Sequence, residues 1–284
     1  MTSITKTMPA SPVALPYSAS DAELELFRHF FQQTIGVNLP NSKKSLLTGR
    51  LGKRLHDLNL PDLRAYHSYI TMSGNEDERQ RAIDLITTNE TYFFRESKHF
   101  DYLADSILPS LATQQDVRIW SAASSTGEEA YSIAMILDKK RPAMAWNVEG
   151  SDVSTRVLAY AQRGLYPIQR GQQIPQSFLK QHCLRGNGQY EGHFLVDQRL
   201  RERVQFSQRN LLEPQTSLGQ FDVIFLRNVL IYFENETKAQ VIRNVCRQLK
   251  PGGWFIIGHA ESLNGIETGL KLKPSGSSIF QLEH

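Results

Sequence analysis

Short apolar strands alternate with amphipathic helices from Asp116 onward, and this alternation constrains the fold more than any other feature. The segment from Ile119 to Ala134 shows the pattern, because an apolar strand passes through small residues and then becomes a helix. The predicted strands cover 117–120, 146–151, 221–226 and 254–257, and the predicted helices cover 128–139, 154–162 and 236–249. Strands and helices of these lengths in this order predict a doubly wound, mostly parallel α/β sheet.

Other parts of the chain depart from this alternation. Residues 21–88 carry apolar residues at helical spacing and are predicted to form a small all-helical domain of four helices. The sequence predicts a disordered tail at 1–20, the helical domain at 21–88, a linker with a connecting helix at 89–115 and the α/β domain at 116–284. Within the α/β domain, the segment at about 167–206 is turn-rich and predicts a β subdomain with strands at 194–196 and 203–206. A terminal hairpin is predicted from the short strands at 270–273 and 278–282.

The composition excludes several classes of protein. The chain has 284 residues and a net charge of +3, which is too small to indicate a nucleic-acid binder. No apolar run approaches the roughly 18–20 residues of a membrane helix, so we expect no membrane insertion. The two cysteines and the absence of a predicted signal peptide favour a cytoplasmic protein. The eight histidines are scattered without ligand spacing, so no metal site is expected.

Polar residues follow three of the predicted strands, where the ligands of open α/β sheets bind. Small residues lead from the first strand to Glu128 and Glu129, Asp152 follows the second strand, and Arg227 with Asn228 follows the third. There is no GxGxxG or GKS/GKT motif, and two carboxylates at a helix N-terminus disfavour a phosphate. An acid after the second strand suits a ribose, and the glutamates suit a cation, so the pattern predicts S-adenosylmethionine. Each acid alone is equally consistent with helix capping or with the helix dipole.

Four segments of the chain together resemble one family. The segments are TTNETYFFR (87–95), WSAASSTGEE (120–129), FDVIFLRNVLIYF (221–233) and LKPGG (249–253). They are similar, in the same order, to the bacterial chemotaxis receptor methyltransferases of the CheR family. The resemblance implies a class I S-adenosylmethionine-dependent methyltransferase sheet with a small β subdomain, preceded by a helical domain. It also implies methyl transfer to glutamate side chains of membrane chemoreceptors, giving γ-methyl esters and S-adenosylhomocysteine.

The resemblance also implies the site residues. The residues that match cofactor contacts of the family are Asn89, Thr91, Arg95, Glu129, Asp152, Asn210, Leu211, Arg227 and Asn228, and Arg95 and Tyr232 match residues of its active site. Ala130 and Ser124 depart from common family residues without an expected effect on the chemistry. From the residues alone, the favoured interpretations are an ion pair of Arg95 with Glu96 or Asp101 and core packing for Tyr232.

The resemblance also raises hypotheses about partners. Lys43, Arg50, Lys53 and Arg54 form a basic stripe that would dock glutamate-rich receptor helices, although such a stripe is often only a solvated face. Gly186 and Gly188 mark a docking edge for a receptor C-terminal tail, or simply a tight hairpin. We expect a monomer. The alternatives are a non-catalytic S-adenosylmethionine-responsive adaptor and a methyltransferase for another substrate.

Overall fold

A computed structural model describes residues 17–283. Residues 1–16 of the predicted tail lie outside this range, and residues 17–20 contact the first helix. Ser20 caps the first helix, and Tyr17 and Ser20 both donate hydrogen bonds to Glu23. Burial opposes ionisation of Glu23, but these donors outweigh it and lower its pKa to about 2. Residues 17–20 therefore have no helix or strand of their own but are held against helix α1.

The N-terminal part is a four-helix domain, as predicted. Its helices are α1 (Asp21–Ile35), α2 (Lys44–Asp57), α3 (Leu63–Thr71) and α4 (Glu76–Ile86). Phe27, Phe31 and Tyr66 are fully buried in its core. The linker then forms α5 (Ser97–Tyr102), which continues through a π-helical turn at Leu103–Ile107 into α6 (Leu108–Ser110).

The α/β part contains one large sheet with helices on both faces. Its strands are β1 (Asp116–Ala122), β2 (Ala145–Asp152), β6 (Val204–Gln208), β7 (Phe221–Leu226), β8 (Leu249–Ile257), β9 (Leu272–Gly276) and β10 (Ile279–Leu282). Its longer helices are α7 (Glu128–Lys140), α8 (Thr155–Arg163) and α11 (Asn235–Cys246). The strand order is β6-β2-β1-β7-β8-β10-β9, with β9 and β10 forming the predicted antiparallel hairpin.

This strand order places the ligand-binding edge. From β1 the chain builds outward through β2 and β6 on one side and through β7 and β8 on the other, all in parallel pairs. The order therefore reverses between β1 and β7, and a crevice opens at the carboxyl ends of the strands on either side of such a reversal. The loops after β1, β2 and β7 meet there.

The small β subdomain is a separate three-stranded antiparallel sheet. It consists of β3 (Leu165–Pro167), β4 (Cys183–Arg185) and β5 (His193–Val196), with α9 (Gln176–His182) before β4 and α10 (Gln198–Arg201) after β5. The strand predicted at 203–206 is not part of it, because β6 pairs in parallel with β2 in the large sheet. The sequence identifies a strand here, but pairing with a strand some 50 residues away is set by the sheet register.

No helix within residues 17–283 is long and apolar enough to cross a membrane.

Candidate active site

A cleft of about 330 Å³ lies at the crevice where the strand order reverses, and the helical domain forms its opposite wall. Ile35, Leu39 and Ile86 contribute apolar surface from that domain. All ten residues predicted to bind the cofactor or line the active site face this cleft: Asn89, Thr91, Arg95, Glu129, Asp152, Asn210, Leu211, Arg227, Asn228 and Tyr232. The fold thus brings together residues from five separate stretches of the chain.

The turn between β1 and α7 holds Glu129 in the cleft. Ala123 and Ser125 have left-handed backbones (φ 62° and 50°), and Gly127 has φ 93°, where an added Cβ would lie 2.8 Å from that of Ala161. Glu129 accepts hydrogen bonds from Ser121 Oγ at 2.7 Å and from Arg227 Nη1 at 2.8 Å. Its carboxylate is therefore oriented before any ligand binds.

Glu128 does not share this role, which corrects the expectation that both glutamates face a cation. Its side chain is fully buried and pairs with Arg170 at 2.6 Å, while Thr126 Oγ1 donates to its second oxygen at 2.6 Å. Burial raises the pKa of Glu128. Adjacent residues at the start of a helix point in different directions, so only Glu129 reaches the cleft.

Asp152 is held at the end of β2 by backbone amides. Its two carboxylate oxygens accept hydrogen bonds from the backbone N–H groups of Ser125 at 3.0 Å and Ser154 at 2.9 Å. Burial raises its pKa to about 6, although these two donors oppose the shift. Each carboxylate oxygen keeps a free lone pair for a hydroxyl donor. Asp152 can therefore hold these two amides and bind a ligand at the same time.

This pKa predicts that cofactor binding depends on pH. Ribose hydroxyls donate to the ionised carboxylate, so protonation of Asp152 removes an acceptor. We expect the affinity for S-adenosylhomocysteine to be nearly constant above pH 7 and to fall as the pH drops through about 6. Calorimetry between pH 5 and 8 measures this. An affinity that stays constant across that range would contradict the role given to Asp152.

The remaining walls of the cleft are formed by Asn89, Thr91, Asn210 and Leu211. Asn210 Nδ2 donates to Thr34 O at 2.7 Å in the helical domain, so its side chain also joins the two domains. Leu211 is buried beside it and offers an apolar surface. The backbone oxygen of Asn89 accepts from Ser125 Oγ at 3.0 Å, and that of Thr91 accepts from Arg170 Nη2 at 3.0 Å.

Arg227 connects the loop after β7 with the segment before α5. Its side chain is 1% exposed, and Nη2 donates to Glu96 Oε2 at 2.8 Å and to Arg95 O at 2.6 Å. Asn228 Nδ2 donates to Glu96 Oε1 at 3.1 Å. Burial opposes the ionisation of Glu96, but these hydrogen bonds outweigh it and lower its pKa to about 2. Arg227 thus fixes the backbone of Arg95 as well as Glu129.

Sequence reasoning missed two residues of this arrangement. Glu96 was considered only as an ion-pair partner of Arg95. Glu261 accepts hydrogen bonds from the backbone N–H groups of Asn228 at 2.8 Å, Leu230 at 2.7 Å and Gly258 at 2.7 Å, and so holds the loop after β7. Glu96 could have been identified from the sequence, because it directly follows Arg95, a predicted site residue. No feature of the sequence around Glu261 indicates that it belongs to the site.

Backbone strain is concentrated around the cleft. Seven described residues other than glycine have positive φ, and five of them flank the site: Phe94, Glu96, Ala123, Ser125 and Asn228. Such conformations cost on the order of 1–3 kcal/mol each and persist where the surrounding structure enforces them. The strained residues lie on both sides of Arg95 and in the loops after β1 and β7, so the surrounding structure holds these parts of the site in one conformation.

Arg95 and Tyr232 lie at the cleft with side chains available to a ligand. Among the described residues, the guanidinium of Arg95 makes one hydrogen bond, from Nη1 to Glu90 O at 2.9 Å, and lies 5.7 Å from the centre of the Tyr92 ring. It forms no ion pair with Glu96 or Asp101 within residues 17–283, unlike the alternative considered from the sequence. Tyr232 is half-buried and is not a plain core residue.

The residues of the cleft fit S-adenosylmethionine. Asp152 provides acceptors for a ribose, Glu129 provides an anion for an ammonium group, and Leu211 provides an apolar surface for a base. Ser124 Oγ is also buried there without a hydrogen-bond partner in the described part of the chain, so one polar atom of the cleft is free for a ligand.

The predicted basic stripe on α2 is only partly exposed. Arg50 donates to the backbone oxygens of Leu85, Ile86 and Thr87 and so caps the end of α4. Arg54 binds both oxygens of Glu78, at 2.8 and 2.9 Å, with 12% of its side chain exposed. Lys43 and Lys53 are exposed. Arg50 and Arg54 thus have partners within the helical domain, while Lys43 and Lys53 are the exposed members of the predicted stripe.

This difference predicts unequal effects on stability. Arg54→Ala leaves the mostly buried Glu78 with Tyr66 as its remaining side-chain partner, at 2.9 Å. We expect the free energy of unfolding to fall by about 2–3 kcal/mol. Lys53→Ala, one position earlier, should change it by less than about 0.5 kcal/mol. Chemical denaturation measures both, and equal effects would contradict the assignment.

Gly186 and Gly188 lie in a tight connection between β4 and β5. A Cβ on Gly186 would lie 2.1 Å from Tyr190 O, and Gly188 has φ 54°, so both glycines are explained by the turn. β4 is an edge strand of the small sheet, and Leu184 and Tyr190 beside it are 55% and 49% exposed. The two glycines are needed for the turn, but the edge proposed for docking is strand β4 itself. The hypothesis of a docking edge therefore does not depend on the glycines.

Two of the histidines that are scattered in the sequence lie together in the structure. Ligand atoms of Glu96, His99 and His259 lie within 4.8 Å of one another beside the cleft. His259 is 160 residues from His99 in sequence, and only the packing of the loop after β8 against α5 brings them together.

The sheet order, the reversal point and the donor set of the cleft define a class I S-adenosylmethionine-dependent methyltransferase. Comparison with protein families identifies which one. Residues 22–87 match the CheR methyltransferase all-alpha domain, and residues 89–278 match the CheR methyltransferase S-adenosylmethionine-binding domain. The chain belongs to the CheR methyltransferase family, and its cofactor is S-adenosylmethionine.

Curated relatives are similar along most of the chain. The chemotaxis protein methyltransferase of Salmonella typhimurium is 37% identical over 266 residues, which cover 93% of this chain and 91% of that protein. Chemotaxis protein methyltransferase 2 of Pseudomonas aeruginosa is 39% identical over 268 residues, which cover 91% and 94%. A solved magnesium protoporphyrin IX methyltransferase from Synechocystis is 13% identical, with coverage of 94% and 100%, and its TM-score of 0.40 is too low to support any inference.

Proposed function

We propose that this chain methylates the side-chain carboxylates of specific glutamates on membrane chemoreceptors. The products are glutamate γ-methyl esters and S-adenosylhomocysteine, and the reaction serves chemotaxis adaptation. Family membership supports the proposal, and the position of Arg95 carries it. Its guanidinium lies in the cofactor cleft with most of its donors unused by the described residues. A planar, permanently charged fork of this kind matches a carboxylate.

The arrangement explains how transfer proceeds without a catalytic base. S-adenosylmethionine, when bound, supplies a methyl group already activated on its sulfonium. A glutamate has an unperturbed pKa of about 4.3 and is ionised at neutral pH, so no proton must be removed from it. The chain's task is proximity and orientation, which can lower a barrier by roughly 7–11 kcal/mol.

Each side chain then has a positional role. Arg95 holds the substrate carboxylate, and Arg227 fixes Arg95 through its backbone oxygen. Glu129 and Asp152 hold the cofactor. Tyr232 bounds the reaction space, and Ile35 and Phe100 exclude water from it. Removing water strengthens the attraction between the carboxylate and its positive partners.

We further propose that the chain acts in the cytoplasm as a monomer on the cytoplasmic domains of these receptors. Lys43 lines the cleft and Lys53 lies on the same helical domain, so both can meet glutamate-rich receptor helices. The free edge of β4 is where a receptor C-terminal tail would add a strand. The domain limits of 21–88, 89–115 and 116–284, with an insertion at about 167–206, remain our proposed division.

Receptor-containing membranes test the substrate class. The chain is incubated with these membranes and S-adenosylmethionine, and modified receptor peptides are identified by mass spectrometry. We expect methyl groups on glutamate side chains within the receptor's cytoplasmic helices. Methylation confined to lysine, arginine or nucleic acid would contradict the proposal.

Charge reversal tests the docking surface. Lys43→Glu combined with Lys53→Glu is expected to raise KM for receptor methylation about tenfold at low salt, because two attractive contacts become repulsive. Lys53→Glu alone should leave the affinity for S-adenosylhomocysteine unchanged, because Lys53 does not line the cofactor cleft. Lys271→Glu, an exposed lysine near the terminal hairpin, is the matched control and should behave as wild type. An unchanged KM in the double variant would place the docking surface elsewhere.

A further inference from the structure

Three side chains outside the cofactor contacts meet beside the cleft. Glu96 precedes α5, His99 lies in α5 and His259 follows β8. Glu96 Oε2 lies 3.5 Å from His99 Nδ1 and 4.0 Å from His259 Nδ1. The two imidazole rings meet edge to face, with centroids 4.4 Å apart. The group therefore gathers two nitrogens and one carboxylate oxygen in a small volume.

His99 has a buried nitrogen without a partner, and that nitrogen points into this group. Nε2 lies 3.3 Å from Ser277 O, so in a neutral ring Nε2 carries the hydrogen. Nδ1 then carries a lone pair. His99 is 1% exposed, and Nδ1 has no hydrogen-bond partner among the described residues. The Nδ1 lone pair of His99 faces Glu96 Oε2, which is also a hydrogen-bond acceptor. Two acceptors that face each other repel, and a cation bound between them stabilises both.

We propose that Glu96, His99 and His259 bind one divalent transition-metal ion, for which Zn²⁺ is the best match. Imidazole nitrogens and a carboxylate oxygen are ligands that Zn²⁺ takes at about 2.0–2.2 Å, so ligand atoms in a tetrahedral site lie about 3.4 Å apart. The two distances from Glu96 Oε2, 3.5 and 4.0 Å, are close to that value, and all three ligand atoms lie within 4.8 Å of one another. His259 is 38% exposed, which gives an ion access from solvent and leaves room for water as a fourth ligand.

Arg227 competes with such an ion for the same carboxylate. Its Nη2 lies 2.8 Å from Glu96 Oε2, and the backbone N–H of His259 donates to that oxygen at 3.1 Å. Repulsion between the guanidinium and the ion weakens metal binding. Metal occupancy would also loosen Glu96 from Arg227. We therefore expect the ion to act against cofactor binding rather than to assist methyl transfer.

Titration of the untagged, metal-free full chain with Co²⁺ tests the proposal, because Co²⁺ occupies nitrogen- and oxygen-ligand sites of the same kind. We expect one equivalent to bind with visible absorption bands that Zn²⁺ abolishes by displacement. His259→Gln should weaken binding about tenfold or more, since a ligand is lost. His56→Gln is the matched control, because its ring is 86% exposed and lies on α2, and it should bind Co²⁺ as wild type does.

Three results would overturn the proposal. One is the absence of saturable Co²⁺ binding below millimolar concentration. Another is equal affinity in wild type and His259→Gln, with circular dichroism showing that the variant is folded. The third is a similar loss in His56→Gln, which would indicate dispersed binding to surface histidines. The test requires no methyl transfer, so its failure leaves the proposed activity untouched.

Discussion

Arg95→Lys is expected to lower kcat/KM for receptor methylation about 10²–10³-fold, because lysine keeps the charge but loses the planar fork. A hydrogen bond to a charged group contributes about 1.5–3 kcal/mol, and a bidentate pair contributes two of them. Arg95 is half-buried and its guanidinium has one hydrogen bond, to Glu90 O, so the fold should tolerate the change. Steady-state kinetics with receptor-containing membranes measure the loss.

Two comparisons make the Arg95→Lys result specific. The affinity for S-adenosylhomocysteine should fall less than about tenfold, since Glu129 and Asp152 still hold the cofactor. Arg64→Lys changes an exposed arginine of α3 and should leave kcat/KM unaltered. If the cofactor affinity of Arg95→Lys fell as much as kcat/KM, Arg95 would be a cofactor contact only. If kcat/KM were unchanged, its role in carboxylate orientation would be wrong.

Asp152→Asn is expected to lower the affinity for S-adenosylhomocysteine about 10²–10³-fold, since two hydrogen bonds from ribose hydroxyls lose their charged acceptor. The substitution also has a structural cost. Both carboxylate oxygens accept backbone N–H groups, from Ser125 and Ser154, and the amide nitrogen of asparagine would meet one of these donors. We expect the free energy of unfolding to fall by about 1–2 kcal/mol. Calorimetry and chemical denaturation measure the two effects.

Asp105→Asn provides the control for Asp152→Asn. Asp105 is exposed and pairs with Lys140 at 2.9 Å, away from the residues that line the cleft. Its replacement should not alter the affinity for S-adenosylhomocysteine. The free energy of unfolding should change by no more than about 0.5 kcal/mol. Cofactor affinity in Asp152→Asn equal to that of wild type would show that Asp152 only holds the backbone amides of Ser125 and Ser154.

The sequence was sufficient to predict the main helices and strands of the helical domain and the large sheet, and the edge of that sheet where the site lies, but not β3, β4, α9 and α10 of the small subdomain. Hydrophobic periodicity and the position of Asp152 and Arg227 after apolar runs depend only on local order, and the ends of parallel strands meet at one edge. The pairing of β6 with β2 was not predictable in this way, because register between distant segments depends on the whole sheet. The resemblance supplied Asn89, Asn210 and Tyr232, which no local pattern marks.

The errors concern how charged side chains are used. Glu128 carries the same charge as its neighbour Glu129, and Arg54 carries the same charge as Lys53, yet each pairs with a residue far away in sequence, Arg170 and Glu78. A periodic pattern shows which face of a helix a residue occupies but not which partner comes to it. For the same reason Glu96 and Glu261 were not recognised, although both hold the loop that carries Arg227 and Asn228.

The most direct test of the central claim is base treatment of labelled receptors. Chemoreceptor-containing membranes are incubated with S-adenosylmethionine carrying a radioactive methyl group, using wild type and Arg95→Ala in parallel. The account predicts that wild type incorporates label that base releases as methanol, as a carboxyl methyl ester requires, and that Arg95→Ala incorporates almost none. Label that resists base would contradict glutamate methylation. No label with wild type, although S-adenosylhomocysteine still binds, would contradict receptor methylation and favour an adaptor.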